Sequence, residues 1–158
     1  MRMKNSDEKQ VVFVCTGNTC RSPMAEAIFR YEAKRRNLPI IVSSAGLEAA
    51  KSGGMNLSSL RTLQAHGFSI ENFVPTQLTD ALLENAYAVV CMTDAQKEDL
   101  LRYAQERAFR DIEKIYAFSD FCGVSISDPY GLGMDAYEST YLTLEKWIPA
   151  LIDELFKQ

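Results

Sequence analysis

The sequence predicts an α/β fold: one domain, a three-layer sandwich in which a four-stranded parallel sheet lies between helices. Three observations point there. First, Val11 to Val14 form a short β-branched run that passes through a tight loop with one glycine into a helix start at Ser22 and Pro23. Second, three more strand-like runs, Pro39–Ser43, Ala86–Met92 and Lys114–Phe118, alternate with helical signals, the pattern of a parallel sheet covered on both faces. Third, Tyr137, Tyr141, Leu144, Ile148, Leu151 and Leu155 make one apolar stripe at helical spacing. A chain of 158 residues is long enough to bury such a core in a single unit.

In chain order, residues 1–9 are polar and read as a flexible tail, leaving residues 10–158 as the domain. After the first strand a helix runs from Ser22 to Arg36 and stops near Asn37-Leu38-Pro39, its apolar positions Met24, Ala27, Ile28 and Tyr31 recurring at helical spacing. The strand Pro39–Ser43 closes at Ser44-Ala45-Gly46, and the small residues 47–56 form a loop. Asn56 or Ser58 caps a second helix that ends at His66-Gly67. Residues 68–79 read as irregular, followed by a short helix from Asp80. Thr93 with Gln96 is a capping box for a helix through Glu106. Gly123 to Met134 is a long loop, and Asp135 opens a final helix that Pro149 is expected to kink or restart.

The chemistry concentrates where the first strand ends. Cys15, Thr16, Gly17, Asn18, Thr19, Cys20, Arg21 and Ser22 lie between strand and helix with no bulky apolar side chain among them. A loop of this kind turns backbone N–H groups inward, toward the positive end of the helix dipole, and forms a cradle for a tetrahedral dianion. The inward amides, the dipole and Arg21 all favour the thiolate of Cys15, the form that attacks phosphorus. Arg21 supplies a planar fork for two phosphoryl oxygens, and Ser22 can donate its hydroxyl to the sulfur when sulfur must leave. Taken singly, a cysteine at a strand end also reads as a small buried hydrophobe. Displacement at phosphorus requires a proton donor for the leaving group, and Asp128 is the candidate. Asp128-Pro129 is equally a turn start.

Composition narrows the classes. A net charge of −4 without a dense basic stripe argues against nucleic acid, and Lys34-Arg35-Arg36 suits the end of the first helix. No apolar stretch approaches the ~20 residues of a membrane span, and no signal-peptide core precedes the domain, so a cytoplasmic protein that does not engage membranes is expected. Cys15, Cys20, Cys91 and Cys122 form no C-x-x-C pair and His66 is the single histidine, which argues against a structural metal site; the chemistry above needs no cofactor. Cys20 either packs the loop or forms a reversible bridge with Cys15 under peroxide.

C-T-G-N-T-C-R-S-P-M-A-E from Cys15, with D-P-Y-G at Asp128 to Gly131, resembles the low-molecular-weight protein tyrosine phosphatases, over nearly the whole chain from Val11. The resemblance implies phosphate binding by residues 16–22, a phosphocysteine on Cys15, Arg21 as the phosphoryl clamp and Asp128 as the acid and then the base. It implies phosphorylated proteins as substrates, and phosphate, vanadate or similar oxyanions as ligands. Asn18, Ser22, Ser44 and His66 match polar positions that support the loop from beneath. Tyrosine-directed members place isoleucine where Thr19 stands, and an aromatic in the segment matching residues 47–51, here Leu47-Glu48-Ala49-Ala50-Lys51. With Thr19, Leu47 and Tyr130 as the pocket, the chain is more similar to the family's bacterial protein arginine phosphatases. Phosphoarginine is therefore favoured, with phosphotyrosine the alternative. A thiol-dependent arsenate reductase is more remote, since it needs two further relay cysteines close together, whereas Cys91 sits in an apolar strand with Glu98 seven residues on. A phosphocysteine carrier of the sugar-transport type would have no use for Arg21 or Asp128.

Overall fold

The computed structural model describes residues 8–157. In chain order the elements are β1 (Lys9–Cys15), α1 (Arg21–Arg35), β2 (Ile40–Gly46), α2 (Leu57–Ala65), α3 (Asp80–Asn85), β3 (Ala88–Cys91), α4 (Asp94–Glu106), β4 (Ile115–Ala117), α5 (Ser119–Cys122) and α6 (Met134–Leu155). The four strands pair in parallel in the order β2-β1-β3-β4. Val11 through Val14 are fully buried, as befits a central strand covered on both faces. Val11 and Phe13 pack with Met24, Phe29, Leu63, Leu144 and Ile148 from α1, α2 and α6. Val12 and Val14 point the other way, onto Leu83 of α3 and Leu100 and Ala104 of α4. The chain runs from β1 to β2 on one side and then crosses to β3 on the other. The strand order therefore reverses at the carboxyl end of β1, where open α/β sheets bind ligands.

Most boundaries follow the local signals, and each departure has a physical cause. Lys9 is drawn out of the expected tail and into β1 by pairing with Ile40, its ammonium 4.5 Å from the centre of the Tyr87 ring. Residues 1–7 of that tail lie outside the described residues. Helix α1 ends on Asn37, which takes the left-handed conformation (φ 55°) usually given to glycine. Of the two caps expected for α2, Asn56 is the one used, its Oδ1 accepting from the amides of Ser58 and Ser59. The capping box of Thr93 and Gln96 forms as expected. The third strand is shorter than its apolar run because Ala86 closes α3 instead. Two short elements had no clear signal: a 3₁₀ turn at Ile112–Lys114, and α5, organised by Asp120, whose Oδ2 accepts from the Ala117 amide and the Lys97 ammonium.

Helix α6 corrects the expectation of a restart at Pro149, because it runs unbroken from Met134 to Leu155. Leu144, Ile148, Leu151 and Ile152 are buried on both sides of the proline. Each such side chain contributes about 1.5–3 kcal/mol of burial, together more than the ~3 kcal/mol that an interior proline costs. No helix among the described residues is long and apolar enough to cross a membrane.

Charge pairing fastens the start of the chain to its end. Glu32 accepts hydrogen bonds from Arg35 and Arg36, and Arg36 reaches Asp153 of α6 at 2.6 Å. The Arg35 hydrogen bond, aided by Arg36 and opposed by burial, holds the Glu32 carboxyl below the usual carboxylate range. A native-state pKa below the unfolded value means that the stabilisation is present above about pH 4.3 and is lost as the pH falls through the native value. Glu32→Gln should cost about 1 kcal/mol at pH 7, roughly 2–4 °C in Tm, and the gap to wild type should close as melts are taken toward pH 3. A gap that stays constant down to pH 3 would mean that packing, not charge, is what Glu32 supplies.

Candidate active site

The register of β1 with β2 continues to Cys15 opposite Gly46, and the two chains stay together beyond the sheet. The amides of Leu47, Glu48, Ala50 and Asn56 donate to the carbonyls of Cys15, Thr16, Gly17 and Thr19 at 2.9–3.1 Å. With its carbonyls held outward by this segment, the loop turns its N–H groups to the opposite side. Among the described residues, no hydrogen bond is donated by the amides of Thr16 to Cys20. Asn18 makes the reversal in a left-handed conformation (φ 56°), fully buried, its Oδ1 accepting from the Thr76 amide at 2.8 Å and its Nδ2 donating to Ser22 Oγ at 2.8 Å. Asparagine tolerates this region of backbone space better than other non-glycine residues do.

Cys15 is buried at the floor of the loop, its Sγ 2.9 Å from Ser22 Oγ. Asn18 Nδ2 donates to Ser22 Oγ, which occupies one lone pair and leaves the hydroxyl proton able to point at the sulfur. Ser22 is therefore a loop residue inside the first turn of α1 and does not cap it; the cap position is Cys20, which makes no side-chain cap bond. Arg21 is buried as well. It donates to the Ile126 carbonyl at 3.0 Å and lies 3.9 Å from Asp128 Oδ2, and its Nε has no partner among the described residues. A buried guanidinium so incompletely satisfied is the donor that an oxyanion would complete. Asp128 is exposed, and its Oδ1 accepts from the Tyr130 amide at 3.1 Å. The turn uses Oδ1 and leaves Oδ2 beside Arg21.

Three expected site residues are placed elsewhere. Ser44 does not reach the loop: its hydroxyl donates to Glu26 of α1 at 2.9 Å, because its position on β2 sets it beside that helix. His66 caps the end of α2, stacks on Tyr141 with ring centroids 3.8 Å apart and bonds Glu138 of α6 at 2.7 Å. It joins two helices. The side chain of Leu47 packs against the cluster of Leu83 and Leu100 and does not wall the mouth of the loop. Thr19 is half-buried, and Tyr130 is 71% exposed on the segment that carries Asp128. Cys20 lies under the loop with Sγ 3.8 Å from Tyr137 Oη; burial, then this contact, pushes the Tyr137 hydroxyl up to about 12. Cys91 is fully buried in β3, where burial pushes its thiol up to about 12 and leaves it protonated, unlike a redox relay cysteine.

Two contributors lacked a signal of their own kind. Gly46 reads from sequence as a turn residue, yet a Cβ there would sit 2.7 Å from the Thr16 carbonyl and 3.1 Å from Asn18 Cβ. Gln96 reads as half of a capping box, and it also donates to Thr16 Oγ1 at 3.2 Å.

The family model described as low molecular weight phosphotyrosine protein phosphatase matches residues 10–158. The protein-arginine-phosphatase of Bacillus subtilis (strain 168) is 35% identical over 150 residues, 93% of this chain and 97% of that protein. The low molecular weight protein-tyrosine-phosphatase PtpB of Staphylococcus haemolyticus (strain JCSC1435) is 34% identical over 134 residues, 84% of this chain and 89% of that protein. A solved structure of a YwlE arginine phosphatase mutant, with a phosphorylated active-site serine, matches with a TM-score of 0.84 at 34% identity, covering 94% of this chain and 97% of that one.

Gly46→Ala tests the clamp around the loop. The added methyl must push the Thr16 carbonyl aside, so vanadate inhibition should weaken by roughly ten-fold or more and stability should fall by about 1–3 kcal/mol. Wild-type inhibition in a folded variant would show that the loop does not depend on this close approach.

Proposed function

This chain belongs to the low molecular weight phosphotyrosine protein phosphatase family, and from that membership we propose that it removes phosphate from arginine side chains of proteins. The family's enzymes are cysteine-dependent protein phosphatases, and this chain is one of them. The residue roles belong to the proposal. Phosphate or vanadate sits on the inward amides of residues 16–22, with the Arg21 guanidinium closing over two oxygens. Cys15 Sγ attacks phosphorus; the Sγ–P bond forms as the bond from phosphorus to the leaving nitrogen breaks. Asp128 gives that nitrogen its proton. The Asp128 carboxylate then takes a proton from water, whose oxygen attacks phosphorus and expels Sγ as a thiolate. The Ser22 hydroxyl, 2.9 Å from the sulfur, stabilises the departing anion.

The observation that carries the substrate reading is Thr19. It is a half-buried loop residue with a hydroxyl where tyrosine-directed members place isoleucine, and residues 47–51 bring no aromatic side chain. A guanidino group is polar around its whole edge and is better matched by a hydroxyl than by a methyl. The similarity to a protein-arginine-phosphatase supports the same reading. Phosphotyrosine is the second reading, favoured by Tyr130, which is exposed beside Asp128 and able to stack on a phenyl ring.

Comparing kcat/KM on phosphoarginine and phosphotyrosine peptides of one sequence decides between them. The wild type should prefer phosphoarginine, and Thr19→Ile should shift the ratio toward phosphotyrosine by roughly ten-fold. A wild-type preference for phosphotyrosine overturns the proposal, and an unmoved ratio in the variant removes Thr19 from its basis.

A further inference from the structure

Gln96 is a buried side chain whose capping role accounts for its Oε1 and not for its Nε2. It stands at the third position of α4 and is 6% exposed. Its Oε1 accepts from the amides of Met92 and Thr93, both at 3.1 Å. Two accepted N–H groups settle which end of the carboxamide is oxygen, because the nitrogen can only donate. Nε2 therefore faces the loop and donates to Thr16 Oγ1 at 3.2 Å. The donor is held by the end of β3 and by a capped helix start, so it is aimed before any ligand arrives.

Thr16 follows the nucleophile directly and is the one exposed residue among positions 16–20. Its backbone is fixed, the carbonyl accepting from the Glu48 amide at 2.9 Å. A threonine hydroxyl offers two lone pairs and one proton. Gln96 takes one lone pair and so sets the rotation of the group. A second lone pair is left at the rim of the loop, one residue from Cys15. The two candidate substrates differ in what they bring to it. A phosphorylated guanidino group carries N–H donors next to phosphorus, whereas the ring of phosphotyrosine carries none. An acceptor desolvated by a ring without a donor is left unpaired, and that costs binding.

We infer that Thr16, held in place by Gln96, selects a guanidino over an aryl leaving group: Thr16 touches the substrate and Gln96 is its positioning residue. The inference rests on the phosphoarginine reading and adds to Thr19 a second polar contact, one built into the scaffold. Gln96 acts only through Thr16, so their effects on selectivity are not additive.

The test reads kcat/KM for phosphoarginine and phosphotyrosine peptides in the wild type, Thr16→Val, Thr16→Ser, Gln96→Met and the Thr16→Val/Gln96→Met double variant. Thr16→Val keeps the side-chain shape without the hydroxyl and should lower the phosphoarginine-to-phosphotyrosine ratio roughly ten-fold, the scale of one hydrogen bond to a polar, charged partner. Thr16→Ser should restore it. Gln96→Met should move the ratio in the same direction, and adding it to Thr16→Val should move the ratio no further. A purely structural role for Gln96 would slow both substrates alike, leave the ratio fixed and overturn its assignment. Should Gln96→Met fail to fold, the exposed Thr16 variants still decide: an unchanged ratio in Thr16→Val, in an enzyme whose wild type prefers phosphoarginine, overturns this inference alone. A wild type that prefers phosphotyrosine overturns the phosphoarginine reading beneath it.

Discussion

Four backbone amides in the segment after β2 decide which way the peptide units of the loop face. By donating to the carbonyls of Cys15, Thr16, Gly17 and Thr19, they hold the negative ends of those dipoles on the outside. The amides of Thr16 to Cys20, which donate to no group among the described residues, are left on the other side, the disposition that the proposed phosphate site requires. The arrangement follows from the fold: two parallel strands in register run past the end of the sheet together, and Gly46 lets them approach more closely than any side chain would permit.

The polar groups beneath the loop divide the remaining tasks. Asn18 spans from the Thr76 amide to Ser22, so one buried side chain holds both the backbone reversal and the serine hydroxyl beside Cys15. Arg21 brings a full charge into the interior of the loop, anchored at one nitrogen by the Ile126 carbonyl and with its Nε unpartnered among the described residues. A buried charge in that condition is unfavourable in the free protein and favourable once an oxyanion completes its shell. Asp128 stays exposed at the rim, its Oδ2 3.9 Å from Arg21, the place the proposed proton donor must occupy. Cys15 and Asp128 arrive from opposite ends of the chain, and the stable pairing of α1 with α6 keeps their two segments in one frame.

Much of this was legible from the residues. The strand–loop–helix around Cys15, the four-stranded parallel sheet and the capping box at Thr93 all follow from local periodicity and turn chemistry, which the tertiary structure preserves. What was not legible depended on partners distant in sequence. Pro149 predicts a break that packing on both sides of it overrules. Ser44, His66 and Leu47 are the right residue types for a site, but strand facing and helix packing turn them to Glu26, to Glu138 and into the core. Gln96 was visible for its cap and not for its reach to Thr16, because its second partner lies 80 residues away. Gly46 shows the same limit: the sequence marks a turn, while the reason for glycine is the Thr16 carbonyl in the loop after β1.

The account comes down to a covalent bond between phosphorus and one sulfur. Mixing the wild-type enzyme with excess phosphorylated peptide, quenching in denaturant within the first turnover and mapping the phosphoryl group by mass spectrometry tests that most directly. Phosphate should be found on the peptide carrying Cys15, and should be lost from it in Cys15→Ser or appear there on serine as a stable ester. Turnover that leaves Cys15 unmodified at every quench time, or phosphate mapped to a different residue, would contradict it.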